Sequence, residues 1–328
     1  MESILGITRV ARVTGLDRSG VEVACAVRPG GHVLQVSNGK GATWQQARAS
    51  AISEAAELWA AERPSGASLV YAALRELRHA WAPPPLAAPR LWSRDLRIAW
   101  VRARELGSAR EVLVPAQAVY CPPQGAPPLG PAVFRWSSNG MGAHPRRRLA
   151  LLHALLEVCE RDQLARVLPH GWTPRAVATR KLDVSRVPLW RQLRDARLEA
   201  HLFDLSGRMP VAAALLVDLD QGPVPLTAGY ACALTPARAV QGALLEAAQS
   251  RLTDVHGARE DVGAPDFAMA RALRAACERA RPSRTLRQMP TPRRVLLPSK
   301  RVAVVALAAK PLHVVKVISP DLRVSELL

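Results

Sequence analysis

The sequence predicts a mixed fold, α/β (α+β), in which long helices alternate with strands. Strand-like and helical stretches follow one another throughout the 328 residues, as expected for a chain that packs helices on sheets. Hydrophobic residues account for 49% of the sequence, which provides ample apolar surface for a core and argues against disorder. The length permits one large domain or two ordinary ones.

The first predicted elements are two strands and a long helix. We predict strands over Val21–Val27 and Val33–Ser37, on either side of the turn Pro29-Gly30-Gly31. A helix follows over residues 43–63, with Thr43 as its N-cap. Its high alanine content, with apolar residues on more than one face, predicts that the helix is buried.

Two proline-rich stretches separate this region from the remaining elements. They are Ala82–Pro89 and Cys121–Pro131, and proline at this density predicts surface loops. Beyond them the apolar patterns predict two more long helices and four strands. The helices cover Arg146–Val167 and Arg238–Val255, and the strands cover Leu198–Leu205, Val211–Val217, Val302–Ala308 and Leu312–Ile318.

The formal net charge of +18 comes mostly from arginine. A basic surface attracts polyanions, but no recognition motif accompanies the charge, so nucleic acid is not expected as a partner. An acidic peptide or an acidic protein is an alternative partner for the same surface.

The cysteines and the apolar segments exclude several classes of protein. The five cysteines are far apart and form no Cys-x-x-Cys pair, so neither a disulfide framework nor a structural zinc site is expected. The N-terminus lacks a signal-peptide pattern, and proline interrupts the longest uncharged stretch, Val112–Phe134. We therefore expect a soluble cytoplasmic protein with no membrane segment.

The three long helices carry pairs of polar residues in the same spacing. The pairs are Glu54 and Glu57, Glu157 and Glu160, and Glu246 and Gln249. A spacing of i, i+3 places both side chains on one helix face, among Ala and Leu residues where a lone carboxylate is costly to desolvate. One such pair is usually an ordinary exposed feature, but three of them favour a shared site. Mg²⁺ suits such a site, because it prefers oxygen ligands and bridges phosphates.

Basic and polar residues near these helices fit a phosphate ligand. Lys40 lies in Asn38-Gly39-Lys40-Gly41, directly before the first helix, where glycine permits close approach of the backbone and a helix N-terminus favours an anion. Arg251 and Arg259 follow the third pair, and Arg binds phosphate in a bidentate manner. Ser138-Asn139-Gly140 precedes the second helix, as a plain turn or as a turn with polar groups that face a ligand.

In order and spacing, these motifs resemble those of the YcaO-like family. The resemblance is carried by Asn38–Thr43 with Ala49–Ala51, Glu54 and Glu57, by Ser138–Met141 with Glu157–Asp162, and by Glu246–Arg251 with Gly257–Asp261. The N-terminal runs Gly6–Val10 and Thr14–Asp17 resemble the branch of the family found with TfuA-type partners. The resemblance covers about residues 5–318. It implies a single YcaO-type domain over residues 1–328, with mixed sheets and long helices around a nucleotide site.

The resemblance also implies that the helices hold ATP and Mg²⁺. It places nucleotide or metal contacts at Ser50, Glu54, Glu57, Glu157, Glu160, Gln249 and Arg251. With the residues noted above, the expected ATP contacts are Lys40, Ser50, Glu54, Asn139, Gln249, Arg251 and Arg259. The expected Mg²⁺ ligands are Glu54, Glu57, Glu157 and Glu160.

The implied activity is the ATP-dependent activation of a backbone amide in a ribosomal peptide. A nucleophile attacks the peptide carbonyl, and ATP phosphorylates the resulting oxygen, which leaves as phosphate. A Cys, Ser or Thr side chain as nucleophile gives an azoline, whereas sulfide, often with a TfuA-type partner, gives a thioamide. The N-terminal resemblance favours the thioamide, as does the ending Val324–Leu328, which lacks alternating prolines. The expected partners are a precursor peptide, a TfuA-type protein and a second copy in a homodimer.

One part of the second motif departs from the family pattern. Pro145 stands where the family usually has Asn, and Leu149 stands where it usually has Glu. Proline has no side-chain amide, and leucine cannot ligate Mg²⁺. The neighbouring His144 and Arg146–Arg148 are either substitutes or parts of an ordinary basic turn. An alternative function is therefore a non-catalytic subunit that binds a peptide or serves as a scaffold.

Overall fold

The computed structural model confirms the mixed α/β fold. It describes residues 1–82, 87–124, 127–183, 187–220, 222–259, 266–297 and 299–323. Glu260 and Asp261 of the third motif, the ending Val324–Leu328 and parts of both proline-rich stretches lie outside the described residues.

Strands and helices alternate along the chain as the sequence predicts. The strands are β1 (Arg9–Arg12), β2 (Glu22–Val27), β3 (Val36–Gly41), β4 (Leu69–Ala73), β5 (Arg97–Glu105), β6 (Glu111–Pro115), β7 (Met141–His144), β8 (Leu198–Asp204), β9 (Val211–Asp218), β10 (Leu226–Cys232), β11 (Ala303–Ala308) and β12 (His313–Ile318). The α-helices are α1 (Trp44–Ala61), α2 (Arg147–Val167), α3 (Pro174–Arg180), α4 (Pro188–Asp195), α5 (Pro236–His256) and α6 (Phe267–Arg279).

The strands form three sheets within the described ranges. One sheet has the order β1-β2-β3, the second β10-β9-β8, and the third β4-β5-β11-β12-β7 with β6 paired to β5. Neighbouring strands in all three are antiparallel. Each sheet carries one long helix, because α1 packs on β3, α2 on β7 and α5 on β10.

A glycine in each of these strands sets how closely its helix approaches. A Cβ added at Gly39 would lie 2.0 Å from the backbone N of Ala51, and one at Gly142 would lie 2.2 Å from the backbone O of Ala150. Gly229 meets the backbone of α5 in the same way, at 2.1 Å. No side chain fits at these distances, so each helix lies directly on the backbone of its strand.

Most of the predicted elements are confirmed. The three long helices correspond to α1, α2 and α5, and Thr43 is the N-cap of α1, since its hydroxyl accepts the backbone N–H of Gln46 at 3.4 Å. The predicted strands at β2, β8, β9, β11 and β12 agree with the structure to within a residue at each end.

The predicted strand Val33–Ser37 is wrong in its bounds. The strand begins at Val36 and continues to Gly41, so Asn38-Gly39-Lys40-Gly41 is not a loop. Strands β1, β4, β5, β6, β7 and β10 were not predicted, and β7 and β10 among them carry Gly142 and Gly229. Within the described part of the chain, no helix combines the length and the apolar composition that a membrane crossing requires.

Candidate functional site

The packing of α1 and α2 places their acidic pairs at equivalent positions. The strand glycine, two helix alanines and the two glutamates have identical spacing in both units. These residues are Gly39, Ala47, Ala51, Glu54 and Glu57 in the first unit, and Gly142, Ala150, Ala154, Glu157 and Glu160 in the second. The same close contact between strand and helix therefore fixes both pairs at the same height on their helices.

The three helices bring their carboxylates within electrostatic reach of one another. Burial and the charges of Glu157 and Glu54 raise the pKa of Glu57 well above its ordinary value. Burial raises the pKa of Glu160 to about 7, and Glu246 and Glu157 add to the effect while Arg161 opposes it. The predicted convergence of α1, α2 and α5 is therefore present in the structure.

One side of the site, the Lys40 half, consists of Lys40, Glu160, Arg161 and Glu246. Lys40 Nζ donates to Glu246 Oε2 at 2.9 Å, and Arg161 Nε lies 3.7 Å from Glu160 Oε1. Backbone N–H groups of β10 complete it: that of Cys232 donates to Glu160 at 2.8 Å, and that of Tyr230 to Glu246 at 3.4 Å.

The charges in the Lys40 half compensate one another. Burial alone would raise the pKa of Glu246, but Lys40 and Arg161 lower it below its ordinary value. Burial would lower the pKa of Lys40, yet Glu246, Glu160 and Glu54 raise it. Lys40 and Glu246 therefore hold their charges in ionised form without a ligand, whereas Glu160, with its pKa raised to about 7, does not.

The other side, the Lys316 half, consists of Glu57, Glu157 and Lys316. Glu57 accepts the backbone N–H of Ala143 at 2.8 Å, and Glu157 accepts that of Gly140 at 3.2 Å. Burial lowers the pKa of Lys316 to about 8, although Glu157 and Glu57 act in the opposite direction. Glu157 also borders the Lys40 half, because its carboxylate lies 3.7 Å from Arg161 Nη2.

Five of the other predicted residues lie beside or near these two halves. Glu54 Oε1 is 3.9 Å from Arg259 Nη1, and Ser50 precedes Glu54 by one turn of α1. The side-chain oxygen of Asn139 is buried and has no hydrogen-bond partner among the described residues. Gln249 follows Glu246 by one turn of α5 and is half-buried.

Arg251 lies elsewhere and is held by other partners. Its Nε is 3.0 Å from Asp17, its Nη2 is 3.0 Å from Asp218, and its Nη1 donates to the carbonyl of Val224 at 2.6 Å. The structure does not bring this guanidinium into contact with the carboxylates of the site. Its contacts tie α5 to the β1–β2 loop of the first sheet, to the end of β9 and to the loop that follows β9.

The role predicted for the glycines beside Lys40 needs correction. Gly39 and Gly41 lie in β3, where they give space to the backbone and side chains of α1 rather than to a phosphate. Lys40 itself points into the site, where it meets Glu246. The lysine therefore reaches the site from a strand and not from a glycine-rich loop.

The two departures from the family pattern lie at the entrance to α2. Pro145 is exposed, and Leu149 is 39% exposed. Arg146–Arg148, between them, are exposed as well. A cleft of about 470 Å³ adjoins this segment, lined by Arg147, His313, Val315 and residues 306–309.

Lys316 is the main site residue that the sequence reading missed. A signal was present, since one lysine interrupts the apolar strand Val314–Ile318. The sequence predicted Arg161 only as part of a motif, although this half-buried guanidinium lies between three carboxylates. Its position directly after Glu160 was the signal for its role.

The donor set fits Mg²⁺ bound together with phosphate rather than a metal held by protein alone. Among the described residues, no three His, Cys, Asp or Glu side chains come close enough together to hold a metal ion. Mg²⁺ commonly takes one or two carboxylates and completes its shell with phosphate oxygens and water. Buried glutamates with raised pKa values, such as Glu57 and Glu160, are those that a cation would stabilise in the ionised form.

Comparisons with known proteins agree with this site. The family model described as YcaO cyclodehydratase, ATP- and Mg²⁺-binding, matches residues 38–302. A protein of Methanothermobacter thermautotrophicus is 36% identical over 274 residues, which cover 81% of this chain and 70% of that protein. A Rhizobium leguminosarum bv. trifolii protein, named for its place in the tfuA 3′ region, is 31% identical over 279 residues, covering 78% of this chain. The chain spans 64% of that relative, less than two-thirds of its length.

A solved structure shows the same fold. YcaO from Methanopyrus kandleri, bound with AMPPCP and Mg²⁺, superposes with a TM-score of 0.75 at 23% sequence identity. The match covers 98% of this chain and 87% of the other.

Proposed function

Because the chain belongs to the YcaO family, we propose that it uses ATP and Mg²⁺ to activate a backbone amide of a peptide substrate. The family model is described as ATP- and Mg²⁺-binding, and the Methanopyrus kandleri structure holds a nucleotide analogue with Mg²⁺. The observation that carries the proposal is the meeting of carboxylates from α1, α2 and α5 with partly buried cations between them. We further propose that residues 1–328 form one domain around this site.

We propose that the glutamates of the site bind the metal and that its cations bind phosphate. Glu54, Glu57, Glu157 and Glu160 would hold Mg²⁺ through their carboxylates. Lys40, Arg161 and Arg259 present positive charge to the same space and would bind phosphate oxygens. Asn139 would use its free side-chain oxygen toward the nucleotide or a metal-bound water.

Bound MgATP supplies the phosphoryl group that turns the amide oxygen into a leaving group. The chain's own part is positional and electrostatic: its lysines and arginines hold fixed positive charge where negative charge develops, at no reorganisation cost. Burial of these groups excludes water, which strengthens each charge interaction.

Thioamide formation is the product we favour. In this reaction sulfide adds to the amide carbon, and the amide oxygen leaves as phosphate, so one sulfur replaces one oxygen. The Rhizobium relative is named for the tfuA 3′ region, which supports a TfuA-type partner, as does the N-terminal resemblance. Azoline formation, in which a side chain of the peptide attacks and one water is lost overall, is the competing product.

A second candidate function is peptide binding without catalysis. The exposed Pro145 and Leu149 leave the start of α2 without the expected side-chain ligands. The adjoining cleft of about 470 Å³, with Arg147 at its wall, offers a surface for an acidic peptide. A scaffold subunit would keep this surface and would not turn over ATP.

Calorimetric titration with ATP, in the presence and absence of Mg²⁺, tests the proposal first. Saturable binding that requires Mg²⁺, and that Glu57→Ala and Glu160→Ala both abolish, is the expected result. Mass spectrometry of candidate peptides, incubated with ATP, sulfide and a TfuA-type protein, then identifies the product. Replacement of oxygen by sulfur supports thioamidation, and loss of water supports azoline formation. A folded chain that binds no nucleotide, alone or with its partner, would favour the scaffold.

A further inference from the structure

Lys316 is a buried cation that points into the site from the sheet. It is 3% exposed and lies in β12, between β11 and β7. Val315 and Val317 pack on the α2 side of this strand, whereas Val314 packs with the core of α1. Because side chains alternate along a strand, Lys316 shares the α1 side with Val314, where Glu57 lies.

The ammonium of Lys316 has donors to spare. It donates to the carbonyl of Ser137 and lies 5.5 Å from the ring centre of Trp136. An ammonium carries three N–H donors, and no described carboxylate lies within 4.0 Å of this one. The other cations of the site do have such a partner: Lys40 at 2.9 Å, Arg161 at 3.7 Å and Arg259 at 3.9 Å.

Glu57 and Glu157 face Lys316 without touching it. Both raise the pKa of the lysine. At hydrogen-bond distance, however, their oxygens accept the backbone N–H groups of Ala143 and Gly140. A buried cation and two half-buried carboxylates thus border one space without forming ion pairs across it, although Glu157 lies 3.7 Å from Arg161. Direct pairing would normally offset their desolvation.

The ligand that suits this space carries both charges. A phosphate oxygen satisfies the ammonium, and Mg²⁺ on the same phosphate satisfies the carboxylates. We propose that Lys316 donates to the terminal phosphate of ATP, on the side where Glu57 and Glu157 bind its Mg²⁺. The proposal rests on the ATP-dependent function given above and adds the residue that distinguishes ATP from ADP.

A purely structural role predicts a different pattern of losses. If Lys316 only tethers the Ser137 carbonyl, its removal would disturb the site for every nucleotide alike. If it contacts the terminal phosphate, its removal would weaken ATP binding and leave ADP binding nearly unchanged.

The test is calorimetric titration of MgATP and MgADP into the wild-type chain and the variants Lys316→Met, Lys316→Arg and Lys310→Met. Lys310 is exposed and is the matched control. We expect Lys316→Met to weaken ATP binding about tenfold or more, the usual loss for a hydrogen bond to a charged group, with ADP affinity within about twofold. We expect the ATP affinity of Lys316→Arg to lie between those of the wild type and Lys316→Met, and that of Lys310→Met to match the wild type.

Equal losses for ATP and ADP, or none, would overturn the proposal while leaving the proposed function intact. A wild-type chain that binds neither nucleotide would overturn both. Thermal denaturation checks that each variant is folded. If Lys316→Met does not fold, Lys316→Arg decides the matter, because an unchanged ratio of ATP to ADP affinity in that variant contradicts the contact.

Discussion

The Lys40 half and the Lys316 half of the site use the same residue types in opposite ways. In the Lys40 half, the cations and carboxylates pair directly, with Lys40 2.9 Å from Glu246. In the Lys316 half, Glu57 and Glu157 accept backbone N–H groups and the lysine donates to a carbonyl. In the Lys40 half, Lys40 and Glu246 are paired without a ligand while Glu160 keeps a raised pKa. In the Lys316 half, the buried ammonium and the half-buried carboxylate of Glu57 have no ion-pair partner within 4.0 Å among the described residues, and a ligand would satisfy them. Structural and ligand-binding roles can therefore be assigned by how each charge is compensated, and not by charge alone.

Substitution of Arg251 should give the largest loss of stability, and it tests whether this residue lies outside both halves of the site. It belongs to neither half, since its guanidinium pairs with Asp17 and Asp218. Arg251→Met should lower the free energy of unfolding by roughly 3 kcal/mol, because it leaves the buried carboxylate of Asp17 without its ion-pair partner, whereas Asp218 keeps Arg18. Chemical denaturation measures this loss. Arg301→Met, which removes an exposed pair with Asp321, should cost no more than about 1 kcal/mol.

The affinity of a folded Arg251→Lys variant completes that test. If the residue acts only in the structure, MgATP affinity stays within about threefold of the wild type, a change below 1 kcal/mol. A much larger loss of affinity would indicate that Arg251 contacts the nucleotide, as the family resemblance implies.

Glu57→Gln should separate binding from stability in the Lys316 half. We expect a loss of MgATP affinity of about 100-fold, because a metal ligand is removed. The free chain should become more stable at neutral pH. The pKa of Glu57 is higher in the folded than in the unfolded chain, so its stabilising contribution is lost as the pH rises through that folded pKa, and Gln has no such loss.

Glu62→Gln is the matched control on the same helix end. Glu62 forms a buried pair with Arg28, and although burial opposes the shift, Arg28 and two backbone N–H groups lower its pKa. Its replacement should destabilise the chain and leave nucleotide affinity unchanged. Thermal denaturation and calorimetry measure both quantities, and a Glu57→Gln variant that behaves like Glu62→Gln would contradict the difference between the two halves.

Lys40→Met should destabilise the chain even without a ligand. It removes the partner of Glu246, and we expect a loss of about 2 kcal/mol. That is less than for a fully buried pair, because the two side chains are 27% and 21% exposed. The loss should grow as the pH rises above the ordinary pKa of a glutamate, since the unpaired carboxylate then ionises. Denaturation curves at several pH values that superimpose for the variant and the wild type would argue against a preformed Lys40 half.

The smallest expected effect is a pH dependence of Mg²⁺-dependent binding. The pKa of Glu160 is about 7, raised by burial and by neighbouring carboxylates, and Mg²⁺ binds the ionised form. MgATP affinity should therefore rise between about pH 6 and about pH 8, by up to about tenfold, with release of a proton. Glu160→Gln should reduce both the rise and the proton release, leaving the part that Glu57 contributes, and titrations in buffers of different ionisation enthalpy measure this difference.

The sequence was most informative where regular spacing meets apolar burial. A helix places residues three and four apart on one face. This spacing allowed the three polar pairs and the helices that carry them to be predicted. Lys40 was predicted for the site with flanking glycines that would let a phosphate approach the backbone. Gly39 and Gly41 instead lie in β3 and make room for α1.

What the sequence could not give are contacts between distant segments. Lys316 lies in the C-terminal strand, and only the order β12-β7 beside α1 brings it near Glu57. Arg251 has a phosphate-binding residue type in a motif position, yet Asp17, from the β1–β2 loop, and Asp218, at the end of β9, bind it. Residue type and spacing do not reveal which of two carboxylate sets a guanidinium will meet.

The most direct test of the central claim is a crystal structure of the chain grown with AMPPCP and Mn²⁺, with the metal located by its anomalous scattering. The account predicts a metal between Glu57 and Glu157, with the phosphates reaching Lys316 on one side and Lys40 and Arg161 on the other. A metal or nucleotide bound away from these residues, in a chain that retains the observed fold, would contradict it.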